Sequence, residues 1–217
     1  MALTVEQFLQ GMTIQEHIAR MKINRERFSQ VLAAVETPQR EKEYFARLSS
    51  PLRVAVVTED WCGDHVSTTP VLYKLAQDTG KLEVRVFMRD ENWELAYTYL
   101  PEHRTDTVPF FVFFTPEDMR QISIFIETSP EIVPFIDGME EAIQKAHPEV
   151  PDINGDVNEM SESTRNLLRQ ERGAFRVNHA REWGRVISRN FREVVAAGLA
   201  RKPGEPPAEG GTKWPPD

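Results

Sequence analysis

The sequence predicts an α/β fold with helical additions at both ends, and three observations predict it. An apolar run, Leu52-Arg53-Val54-Ala55-Val56-Val57, gives way at once to a helical pattern. A second run, Leu82 to Met88, alternates as a strand does, and Phe110-Phe111-Val112-Phe113-Phe114 is a continuous apolar stretch of the kind that forms a buried strand. Strands separated by helical segments indicate an α/β sheet.

The elements follow in order. Residues 1–49 read as a helical lead-in packed on the sheet. Thr4-Val5-Glu6-Gln7 and Thr13-Ile14-Gln15-Glu16 have capping-box spacing, and Gly11 separates them. Asn24 is placed to cap a third helix whose Phe28, Val31, Leu32 and Val35 share a face. Thr37-Pro38 begins a fourth, whose Tyr44, Phe45 and Leu48 pack near the first strand. Residues 50–147 hold the α/β unit: the first strand, a helix containing Pro70, the alternating strand, a turn at Asp90-Glu91-Asn92, a helix to about Leu100, the strand after Pro109, another from Ile122 to Ile126, and a helix opening at Ser129-Pro130-Glu131. Residues 148–202 form a basic helical extension after a loop at Asp152-Ile153-Asn154-Gly155-Asp156. From Pro203 to Asp217, five prolines and three glycines predict a disordered tail.

The only cysteine in 217 residues lies in Trp61-Cys62-Gly63-Asp64-His65, where the first strand meets its helix. Unpaired N–H groups and the helix dipole at that point favour an anion and therefore the reactive thiolate. These residues, with Pro70 in the helix and Pro109 ahead of an apolar strand, resemble the thioredoxin superfamily over residues 50 to 147. The helical lead-in is similar to that of a bacterial branch with Trp-Cys-Gly-Asp sites. The resemblance implies a three-layer thioredoxin-like fold, a cis-proline at Pro109 facing the sulfur, and Cys62 as nucleophile. It also implies a substrate-binding face made of Trp61, Gly63, Asp64, Val108 and Pro109.

The chain departs from that family at two positions. His65 stands where the second, resolving cysteine would be, so no internal disulfide forms, and an adduct on Cys62 must be released by an external low-molecular-weight thiol or a partner protein. Val56 occupies the place of the family's buried acid. His65, three residues after Cys62, is the candidate proton-transfer group. Against the helix terminus, Glu59, Asp60 and Asp64 bring negative charge toward the sulfur, which leaves the sign of the net pKa shift open. Two functions fit: a monothiol oxidoreductase exchanging with a disulfide-containing protein or small thiol, and a redox-inactive thioredoxin-like binding or scaffold protein. No cofactor is implied beyond the external thiol. One cysteine and one histidine are too few for a stable metal site, and His17, His103, His147 and His179, scattered without ligand spacing, are expected at the surface or at caps.

No uninterrupted apolar run approaches 18 residues, and the start lacks a basic region followed by an apolar stretch, so a cytoplasmic protein is expected. A single cysteine fits a reducing compartment. Residues 163–202 carry ten Lys or Arg against three acids, a net +7 in a chain of formal charge −8. Arg165, Arg169, Arg172 and Arg176 line one helical face and Arg181, Arg185, Arg189 and Arg192 another. That change of phase predicts a bend or break near Gly173. Trp183, Ile187, Phe191 and Val194 form an apolar stripe, so the segment is expected to dock on the body with a solvated basic face. Contact with an anionic surface and dimer contact are the other uses of such a face.

Overall fold

The computed structural model describes residues 2–202 and 204–212. Five strands, β1 (Leu52–Thr58), β2 (Leu82–Met88), β3 (Phe110–Phe114), β4 (Gln121–Ile126) and β5 (Ala208–Gly211), form one mixed sheet in the order β2-β1-β3-β4-β5. β1 runs parallel to β2, with Leu52 opposite Leu82, and antiparallel to β3, with Val56 opposite Phe111. Among the described residues eight α-helices accompany them: α1 (Val5–Leu9), α2 (Ile14–Arg20), α3 (Arg25–Ala34), α4 (Gln39–Ala46), α5 (Gly63–Thr79), α6 (Trp93–Tyr99), α7 (Val133–Ala146) and α8 (Glu162–Leu199).

Because successive strand residues point to opposite faces, the sheet builds two cores. Val54, Val56, Phe111, Phe113 and Phe125 meet Phe28 of α3, Phe45 of α4, Leu72 and Leu75 of α5, and Ile187 and Phe191 of α8. On the other face Ala55, Val57, Phe110, Val112 and Phe114 meet Phe8 of α1 and Leu95 of α6. Covering both faces explains why these strands are apolar almost throughout, and the result is a three-layer α/β fold.

Both capping boxes form, at Thr4 and Thr13. Asn24 departs from expectation: it precedes α3 with φ 59° and caps nothing with its side chain, which instead donates to the Asp60 carbonyl at 3.0 Å. Of the expected bend or break near Gly173, the break is absent, since α8 is continuous from a Ser161 cap to Leu199. Its buried stripe changes phase because its partners change. Leu168 packs with Met139 and Ile143 of α7, whereas Trp183, Ile187, Phe191 and Val194 enter the sheet core. Gly173 is a close approach, where a Cβ would lie 2.9 Å from Arg27 Nε.

The expected disordered tail is corrected over residues 204–212. β5 pairs in parallel with β4, Thr212 N–H donates to the Ile126 carbonyl at 3.0 Å, and Gly211, at φ 87°, lies against Ile126 where a side chain would collide. Glycines that suggest disorder by composition here permit backbone contact. The rest of that expectation, at 203 and 213–217, lies outside the described residues. His17 is also corrected: it is 1 % exposed and belongs to the core of the helical layer.

Candidate functional site

The corner between β1 and α5 is fixed from two sides. Asp60 Oδ2 accepts the N–H groups of Lys22 (2.8 Å) and Ile23 (3.0 Å), tying the α2–α3 connection to the loop, and the Glu59 carboxylate accepts the Asp90 N–H at 2.9 Å. Cys62 follows as the residue preceding α5, in extended backbone, and is 8 % exposed. Its thiol donates to the Val108 carbonyl at 3.2 Å, and the Val108–Pro109 bond is cis. The chain folds this way locally because an apolar strand end buries the corner while α5 starts with no side-chain cap of its own.

The electrostatics at the sulfur are a contest. The main-chain N–H groups of His65 and Asp64 and the Arg176 guanidinium favour the thiolate. Burial, followed by the Asp64 charge, opposes it and wins, pushing the thiol up to about 11. At neutral pH Cys62 keeps its proton. The helix terminus alone argues the other way; desolvation is what sequence position cannot show.

His65 is fully buried and turned away from this chemistry. Its ring stacks on Phe28 (centroids 4.9 Å apart) and meets His17 edge-on (5.2 Å). Nδ1 pairs with Thr69 Oγ1 at 2.9 Å, and Nε2 has no partner among the described residues, so neither ring nitrogen bonds the sulfur. Burial and the neighbouring His17 hold its pKa well below the usual histidine range. The geometry therefore does not supply the proton transfer expected of His65.

The residues expected to bind substrate are divided by depth. Trp61 is 50 % exposed, with the Arg89 guanidinium 5.7 Å from its ring and 4.3 Å from that of Trp93. Gly63 lines an open cleft, and Asp64 is half-buried, its carboxyl raised by desolvation against the pull of Arg176. Val108 and Pro109 are buried, and the Val108 carbonyl is already occupied by the thiol.

The cleft holds about 740 Å³ and runs from Trp61 and Gly63 between α7 and α8. Five arginines line it, Arg27, Arg165, Arg169, Arg172 and Arg176, against two acids, Asp137 and Glu140. Arg176 is the residue that sequence reasoning missed. Its guanidinium lies directly against Gly63, so a helix late in the chain completes the corner around Cys62. The signal was the four-arginine face from Arg165 to Arg176; nothing in the sequence said that its last member is buried against Gly63. Among the described residues, no group of three or more His, Cys, Asp or Glu is arranged to hold a metal ion.

A thioredoxin family model matches residues 11–147, well over half of the chain. The chain belongs to the thioredoxin family. The match reaches back into the helical lead-in, consistent with the packing of α3 on α5. Among solved structures, the chain is similar to a protein of unknown function from Pseudomonas aeruginosa, at 15 % identity and a TM-score of 0.52, covering 80 % of this chain and 99 % of that one. An HIV epitope scaffold is similar at 13 % identity and a TM-score of 0.48, with 81 % and 96 % covered. None of the curated proteins matches. The thioredoxin-family sheet is thus elaborated here by α8 and β5, and no helix among the described residues is long and apolar enough to cross a membrane.

Proposed function

We propose that this thioredoxin-family chain is a binding protein in which Cys62 does not turn over, with Trp61 and Gly63 presenting the ligand-binding face. The observation that carries this is the Cys62 thiol itself, which is buried and donating to the Val108 carbonyl at 3.2 Å. Exchange needs a thiolate, a route for the incoming sulfur and a way to release the adduct. Burial works against the first two. The third lacks a second cysteine in this chain, and the nearest imidazole is packed in the core. The cleft beside Gly63 is open. One cysteine and this unreactive state suit a reducing, cytoplasmic setting.

A second reading is favoured by one observation, the two main-chain N–H groups and the Arg176 charge gathered at the sulfur. In it, the Cys62 thiol loses its proton to solvent, and the thiolate attacks a disulfide R–S–S–R′, forming Cys62–S–S–R and releasing R′–S⁻. An external thiol then attacks the mixed disulfide, restoring the Cys62 thiol and carrying R away as a new disulfide. Mass spectrometry after incubation with glutathione disulfide at neutral pH separates the two. Unmodified protein is expected, and rapid stoichiometric glutathionylation would replace the binding reading with monothiol exchange.

A further inference from the structure

We propose that the arginine-lined cleft is a site for a small organic polyanion carrying two or more carboxylate or phosphate groups, with Arg176 as its inner anchor. This rests on the binding reading for the face concerned. Arg176 is 9 % exposed, and among the described residues its hydrogen bonds reach only the Met139 sulfur (3.5 Å) and the Arg172 carbonyl (3.4 Å). Its Nε has no partner among the described residues. Asp64, the carboxylate acting most strongly on it, forms no ion pair with it within 4.0 Å. Leaving a guanidinium buried and unpaired is costly, and a carboxylate or phosphate on its two-pronged N–H fork removes that cost.

Elsewhere in the cleft, which Asp137 and Glu140 also line, the arginines are less buried than Arg176. Glu140 is committed to Arg172 through two bonds of 2.5 and 2.8 Å. Among the described residues, Arg165 and Arg169 donate only to neutral acceptors, the Met160 carbonyl (2.5 Å) and Asn166 Oδ1 (2.8 Å). Two cationic regions therefore stand at different depths along α8: Arg176 at the inner end beside Gly63, and Arg165 with Arg169 two to three turns away, which calls for a ligand with at least two anionic groups. The volume of about 740 Å³ falls in the range of small-molecule sites, roughly 300–1,000 Å³. Trp61 and Ile136 supply apolar wall for a carbon skeleton. Arg176 is buried at the inner end of the cleft, below the rim on which a strand would lie, which favours a small ligand over a nucleic acid strand.

Titration calorimetry of the full chain with sebacate and with fructose 1,6-bisphosphate, whose two anionic groups stand at opposite ends of the molecule as the two cationic regions require, at ionic strength held constant with potassium chloride, tests this. At least one should bind with Kd below about 1 mM, and which one binds tells carboxylate from phosphate. Arg176→Met should weaken binding about tenfold or more, Arg165→Gln/Arg169→Gln together by a similar factor, and the exposed Arg201→Gln not at all. If Arg176→Met does not fold, the double variant decides. Absence of binding by both probes overturns the proposal, as does a folded Arg176→Met, or the double variant, that binds like wild type. Binding of RNA homopolymer with neither small anion bound also overturns it. The glutathione disulfide experiment does not depend on these outcomes, so failure here leaves the inert-thiol reading standing, and a reactive Cys62 leaves the anion affinities to be judged alone.

Discussion

Arg176 of α8 and Gly63 of α5 occupy adjoining space: a Cβ on Gly63 would fall 2.8 Å from the guanidinium carbon. Glycine at this position is what admits the arginine to the corner holding Cys62. The positive charge that acts on the thiol thus comes from tertiary packing.

Gly63→Ala forces the guanidinium, the far end of a flexible side chain, to swing away. We expect stability within about 1 kcal/mol of wild type, because the better helix propensity of alanine offsets the packing that the displaced guanidinium gives up. The Cys62 titration should move upward, since a nearby positive charge is withdrawn. Gly198→Ala is the contrast. There a Cβ would meet main chain, 2.8 Å from the Ile122 carbonyl carbon, and backbone cannot swing aside. A loss of roughly 1–3 kcal/mol in urea unfolding is expected. Equal effects for the two glycines would contradict the packing of α8 on β4.

Cys62 should alkylate with a midpoint near 11, and Asp64→Asn should lower that midpoint by removing the charge that, after burial, raises it most. The folded value lies above the ordinary 9.0, so the neutral thiol stabilises the fold fully below about pH 9. That contribution, up to roughly 3 kcal/mol, is lost as pH rises toward 11. Cys62→Ala should lack this part of the alkaline decline. A midpoint at or below the ordinary 9.0 would show that the helix terminus offsets burial.

What the sequence discloses here depends on the range of the forces involved. The strands at Leu52 and Leu82 and the capping boxes at Thr4 and Thr13 are local patterns, and each forms where its pattern lies. The position of Cys62 at the head of α5 is local as well. Its titration is not, because Val108, Arg176 and the surrounding core come from distant segments. Ala208-Glu209-Gly210-Gly211 has little strand propensity, and it becomes β5 because glycine allows close approach to Phe125, Val194 and Ile126. His17 looks like a surface residue until Phe28, His65 and Tyr73 close around it.

Acid should act through that last cluster. His17 pairs with the Tyr73 hydroxyl at 2.9 Å, and burial, with Arg20 adding to it and Asp60 opposing, lowers its pKa to about 4. A depressed histidine contributes stability that is complete above its unfolded value of about 6.5 and is lost as pH falls toward 4, here roughly 3 kcal/mol. His65 shifts in the same direction. Urea unfolding of His17→Gln across this window should show a shallower decline than wild type. Parallel curves would mean that His17 is not the group being protonated.

The final expectation concerns Trp183, which decides whether α8 is part of the body. Its side chain is 2 % exposed and lies within 6.0 Å of the Phe175 ring and 5.2 Å of the His179 ring. Trp183→Ala should cost roughly 3–5 kcal/mol, the range for large apolar side chains removed from cores. The indole Nε1–H is buried without a partner among the described residues, so Trp183→Phe deletes an unsatisfied donor along with some apolar area. Its cost should be much smaller than that of alanine. Thermal melts of Trp183→Ala that overlay wild type, accompanied by salt-sensitive binding to anionic vesicles, would make α8 a free basic arm. They would also remove Arg176 from the Cys62 corner, because the same helix carries both residues.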